Sequence, residues 1–525
     1  MSSSTQSKPI VTRIAPSPTG DPHVGTAYMS LFDYVFAKQQ GGSFILRVED
    51  TDQKRYNPES EERVLDALEW LGLSPDESPK VGGPNAPYRQ TERKETYQKY
   101  ADELLNAGKA YRAFETAEEL DAIRTDLQRR GLGQGYDGRG RNLGQEESDK
   151  RAAAGEPFVI RLITPDEGET VVNDALRGEV KIPNTEVTDA VIMKSDGLPT
   201  YHLAVVVDDH LMGVTHAVRG EEWISTAPIH VLLYEAFSWE EPVWVHMPLL
   251  RNAEGKKLSK RKDDVSLDSY KSQGFLPEAL LNYLGTMGWS MPDGREFFSV
   301  QDMIDNFTFK RISLGGPVFD AKRLRFYNAH YMREALPLET IAERAKPFFK
   351  AAGYSLDDED YLLDVIDVLL PRAETLQDLA EQSAYFFSGN FEYTEDAKRR
   401  LEGGQKYLQD LEREFSRLDF FDFDDVDDTI RDYVQSQSVK MGEVMQPLRA
   451  AFTGTTQAPG VTDLAVILGK QKVLERIGRA LDFLQGGLPD DNPQAKKEAE
   501  EKEKAKEAKE KQAKAKVTKH KKEAV

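Results

Sequence analysis

Short apolar runs and one amphipathic segment at the start of the chain predict a strand, a helix and a second strand. Val11–Ala15 is a β-branched run typical of a buried strand. Apolar residues then recur at i, i+4, i+7 and i+11 on one helical face: Val24, Tyr28, Leu31 and Val35. Phe44–Val48 predicts the next strand. This order indicates a parallel βαβ unit with a right-handed crossover.

The same α/β pattern returns near the middle of the chain. Leu203–Val207 is a continuous apolar run that predicts a buried strand ending at Asp208. Val214–Arg219 predicts a further strand, and Thr226–Phe237 predicts the helix that follows it. We therefore expect one sheet whose two halves are separated by a mixed insertion over residues 109–195. Two strands are predicted within that insertion: Phe158–Ile163 and Thr170–Ile182.

Beyond Leu267 the hydrophobic pattern is helical as far as about Leu488. Five segments are the strongest helix candidates: Pro277–Met287, Leu338–Ala352, Tyr361–Leu370, Thr375–Phe386 and Leu464–Leu484. The predicted fold class is thus α/β followed by an all-α region. The last residues, Gln494–Val525, hold 12 Lys and 7 Glu and have no apolar face. This composition predicts a solvated extension. The alternative is a segment that binds RNA weakly and in a salt-sensitive way.

Composition narrows the function classes. The absence of cysteine excludes disulfides, cysteine-based zinc sites and thiol catalysis, and it favours a cytoplasmic protein. The apolar runs are too short to span a bilayer, and the N-terminus lacks the apolar region of a signal peptide, so no membrane partner is expected. A net charge of −21 argues against a nucleic-acid partner, although local basic patches can still attract one.

The proline- and glycine-rich turn between the first strand and helix is the main candidate for phosphate chemistry. The sequence PSPTG ends at Gly20, and His23 stands where the helix begins. Backbone N–H groups at a helix N-terminus favour anions, so this turn predicts a phosphate notch. The alternative is a rigid turn with a capping histidine. A second candidate is the basic stretch KKLSKRK at 256–262. It predicts a lid over a nucleotide or, alternatively, a solvated basic loop.

Charged residues near the ends of predicted strands form a second candidate site. Glu49, Asp50 and Asp52 follow the second strand and could bind an ammonium group or a metal, or form a surface acidic cluster. Arg13 and Arg219 lie near two other strand ends. Ligands sit at the carboxyl ends of parallel strands. Two arginines that converge beside an acidic residue would suit a ligand with carboxylates and an amine, whereas separate arginines would be rim salt bridges.

Three segments together resemble one enzyme family. The sequence RIAPSPTGDPHVGT resembles the glutamyl form of the class I synthetase HIGH signature, and KLSKR resembles the KMSKS signature. The segment GLPTYHLAVVVDDHLMGVTHAVRGEEW between them is similar to that of bacterial glutamyl-tRNA synthetases. The likeness runs from about Pro9 to Leu488. By this ordered set of motifs the chain is identified as a member of the glutamate–tRNA ligase family.

The resemblance implies a domain plan around a Rossmann-type class I catalytic domain. Six parts are expected: first catalytic half 9–108, connective insertion 109–195, second catalytic half with the KLSKR loop 196–265, stem-contact domain 266–335, helical anticodon-binding region 336–488 and charged tail 489–525.

The implied reaction has two steps. The glutamate carboxylate attacks the ATP α-phosphate to give glutamyl-adenylate and pyrophosphate, and the terminal ribose hydroxyl of tRNA(Glu) then takes the glutamyl group. By similarity His23, Lys257 and Lys260 are the catalytic residues, and Mg²⁺ accompanies ATP. The residues expected to bind ATP are Thr19, Gly20, His23, Gly25, Thr26, Lys257 and Lys260.

The resemblance also assigns a glutamate pocket. Arg13 and Arg219 face the substrate carboxylates and Glu49 receives the amino group. Four other residues are expected to shape the pocket: Ala15, Ser17, Tyr201 and Val205. Val205 stands where the family usually has Asn, and an apolar side chain cannot make the polar contact of that Asn. The cysteine-rich zinc site of some members has no counterpart here, so neither zinc nor any other protein-bound metal is expected.

The helical half resembles bacterial anticodon-binding domains. Arg372 and Arg449 occupy positions where such domains meet anticodon bases, and an Arg at the first position is associated with rejection of tRNA(Gln). A monomer is expected. The alternatives are an enzyme that also charges tRNA(Gln), a glutaminyl-tRNA synthetase, the truncated paralogue that glutamylates a modified base of tRNA, and a catalytically inactive tRNA-binding protein. The helical C-terminal region argues against the glutaminyl-tRNA synthetase and the truncated paralogue. Intact His23, Lys257 and Lys260 argue against the inactive protein.

Overall fold

The computed structural model describes residues 8–131, 135–258 and 265–486. The chain divides into two compact units, Met1–Tyr331 and Met332–Val525. The boundary between the units lies close to the predicted start of the anticodon-binding region. The bounds of all six predicted parts stay predictions.

The described residues of the N-terminal unit form nine strands and eleven α-helices. Their order is β1 (Val11–Ile14), α1 (Val24–Gln39), β2 (Ser43–Leu46), α2 (Pro58–Trp70), α3 (Lys94–Asn106), β3 (Ala110–Ala113), α4 (Ala117–Arg129), α5 (Gln145–Ala153), β4 (Val159–Leu162), β5 (Glu169–Asp174), β6 (Gly178–Pro183), β7 (Val191–Met193), α6 (Tyr201–Leu211), β8 (His216–Gly220), α7 (Ala227–Phe237), β9 (Val243–Met247), α8 (Leu267–Ser272), α9 (Pro277–Thr286), α10 (Val300–Asn306) and α11 (Ala321–His330).

The predicted βαβ unit at the start of the chain is confirmed. Strands β1 and β2 pair in parallel with Val11 opposite Ser43 and Ile14 opposite Leu46. Helix α1 connects them, and all four residues of its predicted apolar face are buried. Burial of this face against the strands holds the helix in place, because tertiary packing supplies most helical stability in proteins.

The second sheet has the strand order β6-β5-β9-β8 and lies beside β1. Strands β8 and β9 are parallel with Arg219 opposite His246, and β5 pairs in parallel with β9. The backbone N–H of Thr215 donates to the carbonyl oxygen of Val11 at 3.0 Å, which places the start of β8 next to β1. The return of parallel α/β structure near the middle of the chain is therefore confirmed.

The predicted strand Thr170–Ile182 is in fact a hairpin of two strands, β5 and β6. The turn between them is held by Asp174, whose Oδ1 accepts from the backbone N–H groups of Leu176 and Arg177, both at 2.9 Å. Gly178 follows with φ 72°, a conformation that favours glycine. The hairpin belongs to the predicted insertion but completes the sheet of β8 and β9. The other strands of that insertion form a separate antiparallel sheet in the order β3-β4-β7.

The prediction that Leu203–Val207 is a strand is wrong, since this run lies in helix α6. Every residue from Leu203 to Asp209 is buried, so the helix shows no polar face and no 3.6-residue period. A continuous apolar run of this length cannot be told from a buried strand by its pattern. The low helix propensity of three consecutive valines, a few tenths of a kcal/mol each, is outweighed by packing on all sides.

The described residues of the C-terminal unit form eight α-helices, as the predicted all-α region requires. They are α12 (Leu338–Ala351), α13 (Glu359–Leu369), α14 (Leu376–Gln382), α15 (Ala384–Phe387), α16 (Glu395–Arg417), α17 (Phe423–Gln437), α18 (Met441–Thr453) and α19 (Val461–Leu484). The predicted helix Thr375–Phe386 is divided at Ser383 into α14 and α15, and α19 is interrupted at Gly469, where φ is 78°.

Among the described residues, no helix has both the length and the apolar character needed to span a bilayer.

Candidate active site

One cavity of about 840 Å³ lies at the carboxyl ends of β1, β2 and β8 and at the N-termini of α1 and α6. This is the edge at which ligands bind in parallel α/β sheets. Ten of the residues expected to bind ATP or glutamate line it: Arg13, Ala15, Ser17, His23, Gly25, Thr26, Glu49, Tyr201, Arg219 and Lys257. The structure therefore brings the predicted phosphate notch and the predicted amino-acid pocket together.

Three predicted residues do not line this cavity, and a fourth lies outside the described residues. Thr19 is exposed in the turn, where its N–H donates to the carbonyl of Ser17 at 2.8 Å, and Gly20 follows it. Val205, in α6, is buried in an apolar cluster and does not line the cavity, so its expected place in the glutamate pocket stays a prediction. An apolar side chain at this position packs into the core. Lys260 belongs to residues 259–264, which the structure does not describe.

His23 begins helix α1 as its N-cap. Its Nδ1 accepts from the backbone N–H of Gly25 at 2.9 Å, so the proton of the neutral ring is on Nε2. A Cβ at Gly25 would lie 2.6 Å from Cε1 of His23, and glycine is therefore what lets the ring fold back over the helix end. His23 therefore caps the helix and lines the cavity at the same time, so the two alternatives raised for this residue do not exclude each other.

A buried network of arginines and carboxylates lies behind the cavity. Arg13 and Arg47 both donate to Asp209, with Arg47 Nη1 2.7 Å from Oδ1. Arg93 donates to Asp208 at 2.8 Å, and Arg47 Nε stands 3.5 Å from the same carboxylate. Burial alone would raise the pKa of Asp209, but the two guanidiniums outweigh it and lower that pKa. Asp209 is therefore an ionised, paired carboxylate.

Glu49 is the carboxylate of this network that lines the cavity. Its Oε1 accepts from Arg47 Nη2 at 3.3 Å. Burial raises the pKa of Glu49 to about 7, against the opposing effect of Arg47 and Arg13. Glu49 can therefore gain or lose a proton near neutral pH, and an ammonium ligand would favour its ionised form.

Arg219 is buried at the far end of β8 with one nitrogen left for a ligand. Its Nε donates to His246 Nε2 at 3.0 Å and its Nη1 to His230 Nδ1 at 2.9 Å. Tyr201 Oη lies 3.4 Å from the same Nη1. Among the described residues, Arg219 Nη2 has no hydrogen-bond partner although it is buried. A buried donor without a partner is costly, so this nitrogen indicates an anionic ligand in the cavity.

Lys257 stands at the rim of the cavity. Its Nζ donates to Glu222 Oε1 at 2.9 Å, and both side chains reach solvent. An exposed ion pair of this kind contributes at most about 1 kcal/mol to folding, so Lys257 can exchange Glu222 for a phosphate at little cost.

Several residues of the site escaped the sequence analysis. Arg47 was hidden inside the predicted strand Phe44–Val48, although a charged residue in a buried strand is itself a signal of a buried partner. Gln90 and Lys194 also line the cavity: Gln90 Nε2 donates to Asp208 Oδ2 at 3.0 Å, and Lys194 Nζ donates to the carbonyl of Thr51 at 2.9 Å. Neither residue stands in a pattern that singled it out.

The C-terminal unit holds a second cavity of about 500 Å³, lined by Arg372 and the exposed ring of Phe423. Three carboxylates share the lining: Asp364, Asp367 and Asp463. Arg449 donates to the carbonyl of Pro459, another lining residue, at 3.2 Å. Burial lowers the pKa of Arg449, and the nearby Arg372 lowers it further. The guanidinium of Arg449 therefore lies beside the cavity that Arg372 lines.

The described residues contain no group of three or more His, Cys, Asp or Glu side chains placed to hold a metal ion.

Comparisons with known proteins match both units. The family model described as "tRNA synthetases class I (E and Q), catalytic domain" matches residues 9–326, and the model "Anticodon binding domain" matches residues 340–481. A glutamate--tRNA ligase of Thermus thermophilus is 54% identical over 472 residues, which cover 90% of this chain and 100% of the relative. A glutamate--tRNA ligase of Deinococcus radiodurans is 48% identical and covers 91% of this chain and 99% of its own length.

A solved structure shows the same architecture. The crystal structure of a glutamate tRNA ligase from Elizabethkingia meningosepticum, in complex with its amino acid, matches with a TM-score of 0.83 at 36% identity. The match covers 91% of this chain and 100% of the other. Because the sequence and structure matches run through both units, the chain belongs to the class I tRNA synthetase family (E and Q), with a class I catalytic domain and a helical anticodon-binding domain.

Proposed function

We propose that this protein ligates L-glutamate to the 3′ end of tRNA(Glu) at the expense of ATP, giving glutamyl-tRNA(Glu), AMP and pyrophosphate. The observation that carries the proposal is Arg219 Nη2, a buried cationic donor without a partner, in the same cavity as Glu49 and His23. The cavity thus offers a site for a carboxylate, a site for an ammonium group and a helix N-terminus for phosphates. Relatives named glutamate--tRNA ligase support the substrate.

Glutamate is placed by three charged groups. Arg219 Nη2 and the buried guanidinium of Arg13 attract its carboxylates, and Glu49 accepts from its ammonium group. Ala15, Ser17 and Tyr201 line the space between these charges. A bound glutamate would satisfy the donor that the protein leaves unpaired.

ATP is placed at the N-terminus of α1. Gly25, Thr26 and the His23 imidazole line the cavity beside the glutamate groups, and the partial positive charge of the helix end favours phosphates there. Lys257 supplies a point charge at the rim, and we assign the same role to Lys260 from the motif alone. Thr19 and Gly20 stay in the proposed ATP set only as residues that shape the turn.

The chemistry is one of positioning and charge. One oxygen of the glutamate α-carboxylate attacks the α-phosphorus of ATP, and the bond to the pyrophosphate oxygen breaks. The terminal ribose hydroxyl of tRNA then attacks the activated carbonyl carbon and AMP leaves. His23 and the lysines stabilise charge that grows on the phosphate oxygens, and the arginines fix the carboxylate at reacting distance.

Mg²⁺ is proposed to enter with ATP, where it would neutralise phosphate charge. Because the described residues offer no cluster of metal-ligating side chains, we assign it no protein ligands.

The test is pyrophosphate exchange into ATP measured with glutamate and tRNA(Glu), with glutamine and aspartate as control amino acids. We expect exchange that requires glutamate and is lost in Arg219→Met. Absence of exchange in the wild-type protein with all substrates present would leave a catalytically inactive tRNA-binding protein as the answer.

We further propose that the enzyme selects tRNA(Glu) over tRNA(Gln) through Arg372 and Arg449. Their guanidinium planes suit unpaired loop bases, by hydrogen bonding or by stacking, and the exposed ring of Phe423 lines the same cavity as Arg372. Charging assays with the two purified tRNAs decide this point: equal rates would identify an enzyme that also charges tRNA(Gln).

We also propose that the enzyme acts in the cytoplasm, on the grounds of its cysteine-free composition, and that it acts as a monomer. Light scattering on a size-exclusion column, at concentrations above and below the working range, tests the monomer directly.

A further inference from the structure

The partners of Arg219 differ in charge from those of the other arginines around the site. Arg13, Arg47 and Arg93 each pair with a buried Asp. Arg219 is held by neutral groups instead: the imidazoles of His246 and His230, the hydroxyl of Tyr201, and the ring of Trp244, over which its guanidinium lies at 4.9 Å. No ion pair of Arg219 is present among the described residues.

The contact with His246 fixes the protonation of that ring. Arg219 Nε always carries a hydrogen, so His246 Nε2, 3.0 Å away, must present a lone pair. The single ring proton is then on Nδ1, which lies 2.7 Å from Asp174 Oδ2 and donates to it. An imidazolium at His246 would set two N–H groups against each other. The geometry therefore requires a neutral ring in the Nδ1–H form, even though a carboxylate is its other neighbour.

The linked hydrogen bonds continue on the other side of the Arg219 guanidinium. His230 Nδ1 accepts from Arg219 Nη1, so its proton is on Nε2. That proton is donated to His202 Nδ1 at 3.1 Å, which leaves the His202 proton on Nε2. Burial lowers the pKa values of all three rings, that of His202 to about 4, and the charge of Arg219 contributes to each shift. The chain Asp174–His246–Arg219–His230–His202 is thus one set of linked hydrogen bonds.

The β5–β6 hairpin anchors this chain. Asp174 ends β5, and its Oδ2 also accepts from the backbone N–H of His246 at 2.9 Å. Its other oxygen holds the hairpin turn. His246 stands opposite Arg219 in the parallel pairing of β9 and β8, so sheet register and hairpin together place the imidazole against the guanidinium.

We propose that His246 and His230 are positioning residues for glutamate, which hold Arg219 through neutral acceptors and so leave its positive charge for a substrate carboxylate. A carboxylate in either place would bind the guanidinium as firmly but would neutralise it. Asp174 fixes the tautomer of His246 without touching Arg219. This inference rests on the proposed glutamate site, because it explains how that site keeps an unpaired buried cation.

The first experiment reads the tautomers in the wild-type protein. Uniform ¹⁵N-histidine labelling and long-range ¹H–¹⁵N correlation at neutral pH report the protonated nitrogen of each ring, with assignments from single His→Asn variants. We expect His246 in the Nδ1–H form and His230 in the Nε2–H form. An imidazolium at either residue, or the opposite tautomer of His246, would overturn the proposal. This readout needs no enzyme activity, so it is independent of the proposed function.

The second experiment compares two variants of equal shape and different charge at His230. The oxygen of Asn can replace Nδ1 as a neutral acceptor, whereas Asp brings a carboxylate. We expect His230→Asn to raise the apparent KM for glutamate by less than about tenfold and His230→Asp by about 100-fold or more, since a charge-assisted contact to substrate is lost. The apparent KM for ATP should move less than about threefold in both.

A control variant separates charge from position. His210→Asp adds the same charge on an exposed residue of α6 stacked on Trp239, which does not contact Arg219, and it should leave the KM for glutamate within about twofold of the wild type. Equal KM values for His230→Asn and His230→Asp would refute the role of neutrality. If pyrophosphate exchange by the wild-type protein does not depend on glutamate, the proposed function fails. The tautomer measurement alone then tests the hydrogen bonds from Asp174 to His202.

Discussion

Arg13 donates from Nε to both carboxylate oxygens of Asp209, at 3.0 and 3.2 Å, and neither side chain reaches the surface. Asp209 Oδ1 also accepts from Arg47, the residue that follows β2. One carboxylate in helix α6 therefore holds two guanidiniums, that of Arg13 in β1 and that of Arg47. This contact joins helix α6, from the middle of the chain, to strands β1 and β2 at its start. It also places Arg13 at the cavity with part of its charge compensated, in contrast to Arg219.

Asp209→Asn should destabilise the protein strongly, because it removes the charge that compensates two buried guanidiniums. We expect the free energy of unfolding to fall by about 3–5 kcal/mol, measured by urea denaturation. Asp126→Asn, which breaks an exposed i,i+4 pair with Arg130, is the matched control and should change it by less than about 0.5 kcal/mol. A loss below about 1 kcal/mol for Asp209→Asn would show that the network is solvated.

The affinity for glutamate should rise with pH around neutrality. Burial raises the pKa of Glu49 to about 7, and only its ionised form can accept an ammonium group. The competent fraction grows from about a tenth near pH 6 to about nine tenths near pH 8, so the apparent KM for glutamate should fall about tenfold over that range. Three charged groups also act on Glu49, and none of them titrates in this range: the pKa values of Arg13 and Arg47 are raised and that of Asp209 is lowered.

Glu49→Gln is the variant that checks this assignment. It should raise the KM for glutamate and remove its pH dependence, while the KM for ATP keeps its profile. The sign for stability is the opposite of that for binding. The folded state holds a proton on Glu49 between the ordinary pKa of 4.5 and about 7, so this residue makes the protein less stable as pH rises across that window. An unchanged KM profile in Glu49→Gln would assign the titration to another group.

Gly25→Ala should mimic loss of His23. Its Cβ would lie 2.6 Å from Cε1 of the capping ring and push the imidazole off the helix end. We expect pyrophosphate exchange to fall at least about tenfold, with a loss of about 1 kcal/mol in stability from the cap. Gly442→Ala in α18 is the control, since nothing lies within 4 Å of the added methyl group, and it should leave exchange unchanged.

Arg372→Ala should alter the choice of tRNA without affecting amino-acid activation. Its side chain lines the 500 Å³ cavity of the C-terminal unit, so the KM values for glutamate and ATP should stay within about twofold. The ratio of kcat/KM for tRNA(Glu) over tRNA(Gln) should fall about tenfold or more. Arg413→Ala, an exposed arginine of α16 paired with Asp410, should leave the ratio as in the wild type. An unchanged ratio in Arg372→Ala would remove this residue from tRNA recognition.

Local sequence was sufficient to predict a helix or strand that has one buried face. Helix α1 and its flanking strands follow from apolar spacing, because one side of the helix packs on the sheet and the other is less buried. Helix α6 did not follow, since burial on every side erased its period and left an apolar run with two aspartates. The sequence marked Arg13 and Arg219 but could not show that one is paired with a carboxylate and the other with imidazoles.

By itself the sequence determined the family, the α/β and all-α halves, and ten of the residues that line the cavity, because these depend on motifs and on hydrophobic period. Only the tertiary structure decided which charges meet. Asp174 reaches His246 through a hairpin joined to β9, and Asp209 reaches Arg13 across 196 positions of the chain. Such contacts depend on strand order and register, which local patterns do not encode, and they determine which buried cation is left for the substrate.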